Sequence, residues 1–316
     1  MKILISDAVD KAAVELLKKE HEVTEVEPSM EELKGMIGDY DAILLRSRTK
    51  LTADIIEAGK RLKVIGRAGI GVDNIDLKAA TEHGIIVVNA PGSNSISVVE
   101  LTIGHMISIA RMLVKADSHV RSGQWNRKAF KGVELMGKTL GLIGFGRIGS
   151  EVARRAQVFG MDVITYDPYV NKKIADEMGV EIVETKEDVL KNADFISIHA
   201  LLTDETRGMI SGPEFEMMKD SAYIINCARG GIVDEKALYD ALKAGKIKGA
   251  ALDVYENEPP AGSPLLELDN VVFTPHVGAS TKEAQLRAGT VAAEQMLIAL
   301  RGERPQFLVN RDVWKE

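Results

Sequence analysis

Three polar side chains stand at the ends of apolar runs in the later part of the chain: Arg229 in INCARGG, Glu258 in ALDVYENEP and His276 in TPHVGAS. Their types suit one kind of chemistry. Moving a hydride to or from the carbon beside a carboxylate needs a cation to grip that carboxylate and polarise the keto oxygen, which a guanidinium can do. It also needs a group that exchanges the hydroxyl proton near neutral pH, which is the natural work of imidazole. A carboxylate hydrogen-bonded to that imidazole would orient it. Taken singly, a loop arginine, a surface glutamate and a lone histidine carry no such meaning. They acquire it only beside a cofactor site.

The segment LGLIGFGRIGSEVARRAQVFGMDVITYD supplies that site. Gly144, Gly146 and Gly149 have GxGxxG spacing, after an apolar strand and at the start of a helix. Gly144 permits the tight turn, Gly146 lets backbone approach a pyrophosphate, and Gly149 lets helix and strand pack closely. The N–H groups of Arg147 and Ile148 would face the phosphates at the helix N-terminus. Asp167 lies 18 residues past Gly149, where the next strand ends. Its carboxylate can accept from ribose hydroxyls and would repel a 2′-phosphate, which favours NAD over NADP.

These residues must be held by a suitable frame. The first part of the chain alternates strand candidates (Lys2–Ser6, Glu22–Val26, Ala42–Arg46, Lys63–Arg67, Ile85–Asn89) with helical patterns such as Ala12–Lys19 and Ala53–Ala58. A second array follows, with strands at Thr139–Ile143, Asp162–Tyr166, Phe195–His199, Ala222–Asn226, Gly249–Asp253 and Val271–Thr274. Strand–helix alternation implies parallel sheets with right-handed crossovers. The expected class is therefore α/β, with two doubly wound parallel-sheet domains: a Rossmann nucleotide-binding domain and a flavodoxin-like substrate domain. A long helix, about Ser97 to Val120 and capped by Ser97 with Glu100, is expected to join them. The last helix, about Thr281 to Arg301, returns to the first domain. The substrate domain then comprises 1–93 and 281–316, and the NAD-binding domain 94–280.

Composition narrows the function further. The 316 residues are 45% hydrophobic but only 5% aromatic, and the formal net charge is −7. That balance suits helix-covered parallel sheets and disfavours general nucleic-acid binding, which usually needs a basic face. The single cysteine, Cys227, excludes a disulfide within the chain. It lacks a nearby base and is read as packing rather than as a nucleophile. The N-terminus lacks the pattern of a signal peptide, and no apolar run is long enough to span a bilayer. A cytoplasmic location without membrane association is expected. His21, His83, His105 and His119 lack metal-ligand spacing, and neither HExxH nor CxxC occurs, so no metal site is expected. His199 reads as structural.

RAGIGVDNID, NAPGSNSISVVELT, GFGRIG, NCARGG, ALDVYENEPP and TPHVGAST occur in that order along essentially the whole chain. In these motifs the sequence resembles the D-isomer-specific 2-hydroxyacid dehydrogenases. The resemblance implies that Arg229, Glu258 and His276 form the catalytic set and that Asp253 contacts the nicotinamide carboxamide. It also implies that Cys227 and Ala228 line the nicotinamide side and that Ala200 passes near the adenine or ribose. The backbone at Ile70 and Gly71 would meet the substrate carboxylate. At Ile70 and Ala200, relatives often carry a hydroxyl residue instead.

Within the family, the likeness is to members that open serine biosynthesis and act on a 2-hydroxy acid that also bears a phosphate. Many such members carry a C-terminal serine-binding domain; with the sequence ending at Glu316, a short form without it is expected. Arg46 and Arg48 in LLRSRTK, on one side of a continuing strand, would read the phosphate, with Asn94 as a further donor. Arg127 in GQWNRKAF would reach the neighbouring site in a homodimer. Reduction of glyoxylate, hydroxypyruvate or another unphosphorylated keto acid is the alternative. An NAD-sensing interaction protein is a more remote one.

Overall fold

The computed structural model describes residues 1–314. These divide into two compact units, Met1–Asn94 together with the chain from Ala279 onward, and Ser95–Gly278.

In the first unit the strands are β1 (Lys2–Ile5), β2 (Glu22–Glu25), β3 (Ala42–Leu45), β4 (Val64–Arg67) and β5 (Ile86–Val88). They form a parallel sheet in the order β2-β1-β3-β4-β5. Helices α1 (Lys11–Lys18), α2 (Met30–Met36), α3 (Ala53–Ala58) and α4 (Leu77–Glu82) make the crossovers. Their starts are encoded locally. Asp10 accepts from Ala12 N–H at the head of α1, and Ser29 with Glu32 closes a capping box on α2. The strand AILL is buried at every position because helices cover both faces of the sheet. The closing helix Lys282–Leu300 packs its alanines and Met296 against β1, β3 and β4. Gly66 admits it: a Cβ there would lie 2.2 Å from the Met296 sulfur.

The second unit begins with α5 (Ser95–Arg111) and α6 (Leu113–Arg121). The strands are β6 (Thr139–Ile143), β7 (Asp162–Tyr166), β8 (Glu181–Ile182), β9 (Phe195–Ile198), β10 (Tyr223–Asn226), β11 (Gly249–Leu252) and β12 (Val271–Phe273). The helices between them are α7 (Arg147–Val158), α8 (Lys172–Glu177), α9 (Lys186–Asn192), α10 (Gly212–Met217) and α11 (Glu235–Lys243). The strands form a seven-stranded parallel sheet in the order β12-β11-β10-β9-β6-β7-β8. The order reverses between β6 and β9, the switch point at which open α/β sheets bind ligands.

The structure corrects three expectations. The long helix is not continuous, and it starts at Ser95, so Ser97 is buried inside it rather than capping it. It breaks at Met112, which adopts a left-handed conformation (φ 52°). The carbonyl of Ala110, which a continuing helix would offer to Val114, instead accepts the N–H of Val133. A Cβ on the neighbouring Gly132 would sit 2.4 Å from that same carbonyl, so this loop segment docks directly on the helix end. Second, β3 stops at Leu45, so strand alternation does not carry to Arg46 and Arg48. Third, the two-residue strand β8 is an addition beyond the expected set. No single described helix is long and apolar enough to cross a membrane. The pair α5 and α6 passes that test only when joined across a 63° bend, and the inner face of α5 is packed in the core.

Candidate active site

The glycine turn is built as its spacing demands. Gly144 has φ +101°, and a Cβ there would meet the backbone of His199 at 2.7 Å. A Cβ on Gly149 would lie 2.3 Å from the carbonyl oxygen of Gly144, so α7 can begin this close to β6 only with glycine. Nothing lies within 4 Å of a Cβ on the exposed Gly146. Arg147 and Ile148 occupy the first turn of α7, whose N–H groups have no partner within the helix. Asp167, just past β7, is held by backbone: Oδ2 accepts from Phe145 N–H at 2.7 Å and Oδ1 from Tyr169 N–H at 2.8 Å. Its carboxylate is thus fixed beside the glycine turn. Beneath the turn, His199 Nε2 lies 2.9 Å from the Ser197 hydroxyl. Burial pushes the imidazole pKa down to about 4, so it is neutral near pH 7. Ala200 follows it, half-buried. An open, glycine-lined turn at a helix N-terminus, with a fixed acid beside it, fits a dinucleotide.

The three residues read as chemical from the sequence all lie in this second unit. His276 and Glu258 meet directly: His276 Nδ1 is 2.7 Å from Glu258 Oε2 and 3.0 Å from Oε1. Glu258 Oε1 is itself placed by the N–H of Tyr255. His276 has φ 51°, a left-handed conformation uncommon for a residue with a side chain. Its Nε2 has no partner among the described residues and its side chain is half exposed. Arg229, half-buried, donates to the carbonyl of Ala228. The turn that carries it is pinned by the buried Asn226, which donates to Arg229 O at 2.9 Å and accepts from Ala228 N–H at 3.0 Å.

Two residues hold backbone in ways the sequence did not display, Asp253 in addition to the nicotinamide contact that the resemblance implies. Asn226 is one of them; its only trace was a polar residue closing a buried strand. The other is Asp253, 1% exposed, whose oxygens accept from the N–H groups of Val277 and Gly278 and from the Thr274 hydroxyl. Cys227 is buried, and desolvation, with the nearby Asp253 charge, pushes its thiol up to about 12.

In the first unit, the loop after β3 is gripped from two sides. Asp7 accepts from the N–H groups of Arg46 (2.6 Å) and Thr49 (3.2 Å), while Asn74 donates to the carbonyls of the same two residues. The two arginines differ. Arg48 pairs with Asp7 at 3.1 Å and donates to the carbonyls of Pro28 and Ser6, so its guanidinium is engaged by the protein. Arg46 makes one long bond of 3.3 Å to Ala8 O, and its remaining N–H groups have no described partner. Ile70 and Gly71 are half-buried, and Asn89 holds the Ile70 carbonyl at 2.7 Å. Asn94 is half-buried at the end of this unit's first segment, and Arg127 is exposed in the second unit.

A doubly wound unit with this turn and acid is a dinucleotide-binding domain, and comparison with known proteins places it. Residues 103–278 match the model of the D-isomer specific 2-hydroxyacid dehydrogenase, NAD binding domain. Over 314 residues the chain is 55% identical to D-3-phosphoglycerate dehydrogenase of Methanocaldococcus jannaschii, covering 98% of this chain and 59% of that protein. It is 49% identical over 300 residues to hydroxypyruvate reductase of Thermotoga maritima, covering 93% and 97%. The crystal structure of a glyoxylate reductase from Paecilomyes thermophila superposes with a TM-score of 0.88 at 32% identity, covering 98% of each chain. The chain belongs to the D-isomer specific 2-hydroxyacid dehydrogenase family, and the cofactor of its nucleotide-binding domain is NAD. It spans about three fifths of the length of the phosphoglycerate dehydrogenases it matches.

Proposed function

We propose that this protein oxidises D-3-phosphoglycerate to 3-phosphohydroxypyruvate with NAD, the first step of serine biosynthesis. The observation that carries the reading is the Glu258–His276 contact, with Nδ1 engaged and Nε2 left open, in the same unit as the glycine turn. Bound NAD supplies the hydride acceptor. His276 takes the hydroxyl proton on Nε2 as the hydride leaves the neighbouring carbon, and returns it in the reverse direction. Glu258 holds the Nδ1 proton and stabilises the imidazolium that forms. Arg229 grips the carboxylate and polarises the keto oxygen, with the backbone at Ile70 and Gly71 as further donors.

The nucleotide is held by the turn Gly144–Gly149, with Arg147 and Ile148 N–H toward the phosphates and Asp167 toward the ribose hydroxyls. Ala200 lies along the adenosine, and Cys227, Ala228 and Asp253 along the nicotinamide. The substrate phosphate falls to Arg46, with Asn94 and, from a second copy, Arg127. Arg48 serves better as a brace than as a ligand. A homodimer is part of the proposal, because α6 exposes Leu113, Val114 and Val120 and is followed by Trp125, 77% exposed. A cytoplasmic location goes with it.

A second reading, reduction of an unphosphorylated keto acid, is favoured by the same engagement of Arg48 and by the full-length likeness to a hydroxypyruvate reductase. Loss of NADH absorbance with 3-phosphohydroxypyruvate, hydroxypyruvate and glyoxylate at matched concentrations separates them. Strong preference for the phosphorylated acid is expected. Equal or faster rates with the others would replace the substrate while leaving the hydride chemistry in place.

A further inference from the structure

His105 is a buried imidazole with no role in the chemistry above. It sits on α5, 2% exposed, on a buried face that also carries Val98, Ile103, Met106 and Ile109. Burying a polar ring is costly unless it is hydrogen-bonded, and among the described residues His105 has a partner in Thr274: Nε2 lies 3.0 Å from its Oγ1. That hydroxyl is 2.5 Å from Asp253 Oδ1. Since the carboxylate can only accept, the hydroxyl proton goes to Asp253, and the hydroxyl oxygen accepts from His105 Nε2–H. Nε2 therefore carries a proton. Burial, opposed by the Asp253 charge, lowers the pKa of the ring and so favours its neutral form.

The chain of bonds does not stop there. Asp253 Oδ1 also accepts from Val277 N–H and Oδ2 from Gly278 N–H, each at 2.8 Å. These are the two residues that follow His276, whose backbone is left-handed. From the other side, Tyr255 donates its hydroxyl to Thr274 O at 2.8 Å and its N–H to Glu258 at 3.2 Å. The titratable groups that act on this network are Asp253, Cys227, Tyr255, Glu235, Glu258 and His276.

We propose that His105 and Thr274 are positioning residues for the proton-transfer step. Acting through Asp253, they hold the Val277–Gly278 backbone and thereby keep His276 in line with Glu258. Removing one link lets the strained turn relax, and a displacement of about 1 Å at a reacting group can cost on the order of a hundredfold in rate. The inference rests on the reading of His276 as the proton-exchanging group.

The test is steady-state kinetics of keto-acid reduction across pH for Thr274→Val, Thr274→Ser, His105→Leu and His105→Gln, with NADH affinity measured by fluorescence titration. Thr274→Val and His105→Leu should lower kcat by about tenfold to a hundredfold. They should also displace the ionisation seen in kcat/KM, with NADH affinity retained as evidence of an intact fold. Thr274→Ser and His105→Gln, which keep a hydroxyl and a donor, should recover most of the rate, and they decide the matter if the harsher variants do not fold. Wild-type kcat and pH profile in Thr274→Val or His105→Leu would overturn the proposal. So would parallel loss of NADH affinity and rate with an unchanged profile, which is the mark of a merely structural role. His276→Gln is the control: if it keeps the ionisation, the assignment of His276 itself fails.

Discussion

Gly230 lies so close to Tyr255 that a Cβ on it would sit 1.8 Å from the Tyr255 carbonyl oxygen. The loop carrying Arg229 is thus pressed against the loop that leads to Glu258, in direct backbone contact. Gly230→Ala must push the two apart. Stability should fall by about 1–3 kcal/mol, and kcat by on the order of a hundredfold. Thermal melting and keto-acid reduction report the two effects, and an alanine variant of wild-type activity would show that the loops move freely.

The two arginines after β3 should separate experimentally. Arg46→Ala should raise KM for 3-phosphohydroxypyruvate by about tenfold to a hundredfold, the value of one charge-assisted hydrogen bond, with little change for hydroxypyruvate. Arg48→Ala, whose lost contacts are to Asp7, Pro28 and Ser6, should act chiefly on stability. Melting temperatures and KM values for both substrates distinguish these outcomes.

Asp167 should discriminate between the cofactors. Replacing it by serine removes both the ribose acceptor and the repulsion of a 2′-phosphate. The preference for NAD over NADP, measured as a ratio of kcat/KM, should fall by at least about tenfold. An unchanged ratio would mean that the carboxylate serves only Phe145 and Tyr169.

The Cys227 thiol, raised to about 12 by burial and by Asp253, should be inert. A disulfide reagent at mildly alkaline pH should titrate no thiol in the native protein and one after unfolding in denaturant. Rapid native labelling would contradict the described burial.

His199 makes stability depend on pH. Its pKa is about 4 in the folded protein against 6.5 when exposed, so the unfolded chain binds more protons between those values. Its contribution is therefore complete above about 6.5 and lost as pH falls toward 4. Urea unfolding across that window should show a falling midpoint, with a shallower slope in His199→Gln.

Much of this was legible from local signals. Apart from β8 and the half-exposed edge strand β2, the sheet strands end within a residue or two of the apolar runs, because buried parallel strands are written as continuous hydrophobic segments. Gly144 and Gly149 announced their tasks by their spacing between an apolar strand and the start of a helix. What stayed hidden was set by distant partners. The break at Met112 depends on Val133 claiming a carbonyl, Arg48 is occupied by Asp7, 41 residues earlier in sequence, and the link from His105 to Thr274 spans 169 residues. No pattern within a short window encodes such contacts.

The central claim is that His276, held by Glu258, exchanges the substrate proton. Single-turnover consumption of enzyme-bound NADH, in wild type and in His276→Gln and Glu258→Gln, tests it most directly. The account predicts retained NADH binding in both variants, with the chemical step slowed by about a hundredfold to ten-thousandfold for His276→Gln and less for Glu258→Gln. Wild-type rates of NADH consumption in His276→Gln would contradict it.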